Sequence, residues 1–163
     1  MRPVAAAILL VFTSGALSLT VGCASPCDRE RRPFQGDLSV PEHAVAIAQY
    51  ACRNECWGAL YDLVSEKTKN KYSSIEFRLG FPDLKAPGSQ ETVAALVAGA
   101  QLDVVSRWHW GEGWRLAILT ADRPTGKKEL NVLLRLEPVE EGSEDLEWHV
   151  ALQEQVDRKV PFE

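Results

Sequence analysis

Asp103, Arg107, His109, Arg115, Arg135, Glu147 and His149 recur at matching steps of four runs in which polar and apolar residues alternate. Residues two apart on a strand share a face. The spacing therefore predicts that these side chains gather on one side of a sheet, opposite an apolar stripe. Imidazole, guanidinium and carboxylate groups held together can bind an anion or a carboxylate, and Asp103 can also serve as a lone base. The plainer reading, and the favoured one, is a solvated face bearing cross-strand charge pairs. Trp108, Trp110, Trp114 and Trp148 fall on the apolar parity. They either line an apolar ligand pocket or fill a wide core, and core filling is the expectation. Tyr61 and Tyr72 read as core or rim residues. Ser65, Ser73, Ser74 and Ser106 sit in no G-x-S-x-G elbow, and no phosphate loop occurs. His43 and His109 have the wrong spacing for a compact metal site. No metal, cofactor or catalytic residue is assigned.

The elements that must position these residues follow from the same alternation. Leu102, Val104, Ser106, Trp108 and Trp110 form one run, and Gly111-Glu112-Gly113 turns it. Trp114, Leu116, Ile118 and Thr120 form the next, before the turn at Pro124-Thr125-Gly126-Lys127. Leu130, Val132, Leu134 and Leu136 lead to an acidic turn around Gly142. Leu146, Trp148, Val150 and Leu152 complete the set. Four period-two runs with hairpin-length links predict an antiparallel meander.

Helical signals come earlier. Ser39-Val40-Pro41-Glu42 has the spacing of a capping box, followed by the stripe Val45, Ile47, Ala48 and Cys52. Asn54 is placed to cap a second helix carrying Trp57, Leu60, Tyr61 and Val64. Ser65-Glu66-Lys67-Thr68 repeats the capping signal, and Ser74 precedes a short helix through Phe77. Pro87-Gly88 reads as a loop. Residues 90–98 predict one more helix, with Val93, Leu96 and Val97 inward and Gly99 as its stop. Helices first and strands after give an α+β domain over residues 39–156, with a tail at 157–163.

The chain of 163 residues is 45% hydrophobic and 25% charged, with a formal charge of −5. That suits one domain with a sizeable core. Its basic residues form no long run, so nucleic acid is not an expected partner. At the start, Arg2 precedes an apolar or small stretch from Val4 to Leu19. A single positive charge, a short apolar run and small residues describe a secretory signal over residues 1–22. The run is shorter than the roughly 20 strongly apolar residues a membrane span needs. Removing residues 1–22 removes Arg2, taking Lys+Arg from 18 to 17 and the charge from −5 to −6. Residues 24–38 are polar, hold two prolines and read as a tether. Cys27, Cys52 and Cys56 follow, and export permits disulfides. A Cys52–Cys56 bond across a helix–helix corner is the expected pairing, with Cys27 free or paired elsewhere.

Two family resemblances extend this reading. Leu19-Thr20-Val21-Gly22-Cys23 resembles the lipobox of bacterial lipoproteins, although that family prefers Leu where this chain has Thr20. The resemblance implies that Cys23 carries a diacylglycerol group and becomes the first residue after cleavage. The expected location is then a lipid-anchored position on the cell membrane or outer membrane, with the domain outside the cytoplasm. Ala24, in place of the Asp linked to inner-membrane retention, leans towards the outer membrane. Each buried methylene contributes ~0.8 kcal/mol, so two or three chains hold firmly.

The second resemblance covers roughly residues 41–153. Pro41-Glu42-His43-Ala44-Val45, the stretch Ala59-Leu60-Tyr61-Asp62-Leu63-Val64-Ser65, Phe77 and Glu147-Trp148-His149-Val150 look like packing motifs of nuclear transport factor 2-like domains. That family implies helices on a curved four-stranded sheet, in a cone that often encloses a pocket. Its isomerase and cyclase members abstract a proton beside a carbonyl, which here would fall to Asp103 or His109. The favoured expectation is a noncatalytic domain that binds a small apolar ligand, an envelope protein or a second copy of itself.

Overall fold

The computed structural model describes Cys27, residues 37–78 and residues 93–162. Among these, five helices come first: α1 Pro41–Arg53, α2 Trp57–Leu63, α3 Glu66–Lys71, α4 Ser74–Arg78 and α5 Val93–Gly99. Strands β1 Gln101–Arg107, β2 Trp114–Arg123, β3 Gly126–Pro138 and β4 Leu146–Val150 follow, and then a short helix, α6 Leu152–Asp157. The strands pair in the order β1-β2-β3-β4, all antiparallel. The α+β class and the four-stranded meander are as the alternation predicts.

Local sequence explains most helix ends. Ser65 caps α3 by accepting from the Thr68 N–H. Ser73 and Glu76 form a reciprocal capping box on α4, one residue ahead of the expected Ser74. Helix α1 instead starts at Pro41, with Val40 as N-cap and no side-chain cap; Ser39 donates to Asp37. Proline suits that position because its missing N–H would lack a helical partner anyway. Asn54 does not cap α2; it is the C-cap of α1. There the Cys56 N–H reaches Ala51 O and the Glu55 N–H reaches Cys52 O, with Glu55 at φ 55°. This is the Schellman closure, with glutamate in the left-handed place glycine usually takes.

The corner so formed overturns the expected disulfide. Cys56 bonds Cys27, with Cα atoms 5.2 Å apart, and Cys52 is free. Cys52 lies on α1 and packs towards the core, whereas the left-handed turn carries Cys56 past the helix end to meet Cys27.

The main core lies between the helices and one face of the sheet. Ala44, Val45, Ala48 and Ala51 of α1 pack over Ala117, Leu119, Leu130, Val132, Leu134 and Val150. Each fully buried leucine or valine contributes about 1.5–3 kcal/mol. Register shows where the expected parity fails. Ala117 pairs with Val132 and Leu119 with Leu130, so these face the helices, while Leu116 pairs with Leu133 on the opposite face. Strand β2 is apolar on both sides, and alternation alone could not choose between them. In β1 a bulge between Leu102 and Val104 shifts the register. It leaves Val104 exposed and brings Val105 against the core.

The second face is covered too. Leu116, Leu133, Ala151 and Val160 form a smaller cluster flanked by Trp108, Trp110, Trp114 and Ile118. Packed structure therefore reaches beyond residues 39–156: Cys27, Leu38 and Phe162 all pack against the main core. Strand β4 stops at Val150, where the chain turns into α6, and so leaves part of the β3 edge unpaired. The side-chain amide of Gln155 fills that gap, accepting from the Leu133 N–H at 2.9 Å and donating to Asn131 O at 2.8 Å. Phe162 O takes the Asn131 N–H at 2.8 Å.

Candidate functional site

The charged residues expected on one face are dispersed. Asp103 is exposed and accepts from the Thr120 hydroxyl. Arg107 is exposed and pairs with Glu112 at 3.3 Å. His109 is exposed in the turn after β1, beyond the strand whose parity would orient it. Arg115 pairs in register with Leu134 and so takes the helix-facing side, where its guanidinium lies 5.0 Å from the Trp148 ring centre. Arg107 and Arg115 are cross-strand partners on the helix-facing side, and Arg135 and His149 are cross-strand partners on the second face. The β2–β3 register separates the two pairs.

Around Arg135 and His149 stands a buried polar group that the sequence did not reveal as a unit. The Ser65 hydroxyl donates to Glu154 Oε2 at 2.9 Å, while Ser65 Oγ lies 2.9 Å from Thr68 Oγ1. Thr68 Oγ1 accepts the Gln153 N–H at 3.1 Å. Arg135 bridges two carboxylates, with Nη1 at 3.2 Å from Glu154 Oε1 and Nε at 3.4 Å from Glu137 Oε1. Glu137 Oε2 accepts the Glu66 N–H at the start of α3. Glu137 and Glu154 are nearly sealed from water, whereas the Arg135 side chain is 40% exposed. Buried charge persists only when paired and hydrogen-bonded, and both carboxylates meet that condition. The group thus ties α3, β3 and α6 together. At the helix ends, Lys67 hydrogen-bonds Asp157 and holds its carboxyl below the usual range. His149 is buried beside this group, and its Nδ1 has no hydrogen-bond partner among the described residues.

The tryptophans do not share one face. Trp148 is buried in the main core, and Trp114 lies on the opposite side. Trp110 and Trp114 meet edge to face at 5.4 Å, with Arg158 stacked 4.2 Å from the Trp110 ring centre. They close the end of the smaller cluster.

That interlayer space holds a cavity of about 40 Å³, lined by Cys52, Leu60, Val97, Val132, Leu152 and Phe162 among others. Ligand pockets run to about 300–1,000 Å³. The lining is apolar, and neither Asp103 nor His109 enters it. Burial pushes the Cys52 thiol from 9.0 up to about 12. The thiolate is the reactive species, and a rise of that size lowers its population about 1,000-fold at pH 8. Iodoacetamide should therefore modify Cys52 about 1,000-fold more slowly than an unperturbed thiol, with full reactivity returning in urea. A mass-spectrometric time course checks this.

No family model, curated protein or solved structure matches this chain.

Among the described residues, no group of three His, Cys, Asp or Glu side chains is placed to hold a metal ion. Two features of the polar group have partial signals in the sequence. Ser65 and Thr68 stand out as a capping pair, but their link to Glu154 spans 89 residues and depends on the fold. Glu137 shares the expected parity of Arg135, yet the partner that makes it meaningful, the Glu66 N–H, is a backbone group.

Proposed function

We propose that this chain is an exported lipoprotein, anchored through Cys23 to a membrane of the cell envelope with its domain outside the cytoplasm. The observation that carries this reading is Leu19-Thr20-Val21-Gly22-Cys23 at the end of the apolar leader. The Cys27–Cys56 disulfide supports it, because such bonds persist in oxidising compartments. No helix among the described residues is long and apolar enough to cross a membrane.

The domain is a noncatalytic binding or structural module, its helices and sheet arranged as a nuclear transport factor 2-like cone. Helix order and the antiparallel meander favour that arrangement. The small interior cavity favours an envelope protein or a second copy over a small apolar ligand as partner. Cys23→Ser should move the protein from the membrane pellet to the soluble fraction, lowering its membrane share at least about tenfold, with the order of ~0.8 kcal/mol lost per methylene. Unchanged fractionation, or an unmodified Cys23 in native protein by mass spectrometry, refutes the anchor.

A further inference from the structure

Resting on the proposed lipid anchor, we infer that the α1–α2 corner is the surface that faces the bilayer, held there by the Cys27–Cys56 bond. Four peptide units separate Cys23 from Cys27. Fully extended they span at most about 14 Å. Cys27 is fixed to Cys56, the residue at the turn between α1 and α2. The lipid therefore attaches within about 14 Å of that corner. Fourteen peptide units separate Cys23 from Asp37, which pairs with His43, and they could span up to about 50 Å.

The corner makes an open hollow lined by Cys27, Glu55, Trp57, Gly58 and Asp62. Its exposed carboxylates, Glu55 and Asp62, give it no attraction for anionic headgroups. The covalent constraint, and not adhesion, sets the orientation. The opposite end of α1 starts beside Leu38, whose carbonyl accepts the Trp148 N–H of β4. Over the 13 residues of α1 the two ends are about 20 Å apart, at 1.5 Å per residue. The end that carries the β3–β4 turn is thus turned away from the membrane and left open to a partner.

The test uses full-length lipidated protein in vesicles of phosphatidylethanolamine and phosphatidylglycerol, some carrying a headgroup nitroxide quencher. A small fluorophore is attached through a clickable non-natural residue at position 55 or, separately, at position 141 in the β3–β4 turn. Quenching should be at least about threefold stronger at position 55. Cys27→Ser should stay membrane-bound and lose most of that difference. A Gly-Ser insertion of about a dozen residues after Pro26, which keeps the disulfide, should do the same by restoring a long, flexible tether. Equal quenching at the two positions in membrane-bound wild type would overturn the orientation while leaving the anchor intact. A difference that survives the insertion would overturn the short tether as its cause. Wild type that fails to bind vesicles and lacks the lipid on Cys23 would overturn the anchor and the orientation together.

Discussion

Replacing Gln155 by methionine is expected to destabilise the domain by about 2–4 kcal/mol, because the buried Leu133 N–H and the part-buried Asn131 carbonyl lose their partners at once. The amide of Gln155 is fully buried, and it occupies the β3 edge in the way a neighbouring strand's peptide would. Methionine keeps the length and most of the volume but can neither accept from the Leu133 N–H nor donate to Asn131 O. A lower urea midpoint with an unchanged denaturant slope would register the loss. Faster amide exchange at Leu133 would place it. A midpoint equal to wild type would mean that water or a shifted α6 satisfies the edge equally well.

Arg135→Met should have an effect of similar size, by a different cause. It leaves Glu137 and Glu154 buried on neighbouring elements with no cation between them. Breaking a buried pair from one side costs about 3–5 kcal/mol. Partial exposure of the Arg135 side chain lets water screen the group, so about 2–4 kcal/mol is the expectation here. Adding Glu154→Gln should recover at least half of the loss, since the amide retains an acceptor for Ser65 and removes one charge. Chemical denaturation of the two single variants and the double variant closes the cycle. Strictly additive losses would show that Arg135 acts through packing alone.

What the sequence made legible was local. The stripe of α1, the cap at Ser65 and the strand alternation of β3 and β4 each depend on neighbours a few residues away. Their elements appear where expected, except that β4 ends early, at Val150. The failures have long-range causes. Leu116 and Leu119 are both buried, on opposite faces, because a second apolar cluster lies beneath the sheet. Nothing within β2 says which face meets the helices. The alternation of β4 reads on smoothly to Leu152 and Gln153, yet the chain turns at Ala151 into α6, so Glu154 and Gln155 swing over the sheet. Cys27 finds Cys56 across 29 residues. The C-x-x-x-C spacing of Cys52 and Cys56 suggests a pairing that the left-handed turn at Glu55 does not make. The charged candidate site divides at the β2–β3 register, which sets Arg115 opposite Leu134 and Arg135 opposite Trp114, so Arg107 and Arg115 share one face while Arg135 and His149 share the other.

The closure of the β3 edge by α6 and Phe162 sets an order on maturation. Until residues 151–162 have emerged and docked, Asn131 and Leu133 present unpaired N–H and C=O groups along a strand rich in leucine and valine. Such an edge recruits strands from neighbouring molecules. A truncated or stalled chain is thus prone to clump, and the protein becomes safe to crowd only when its final turn of helix arrives.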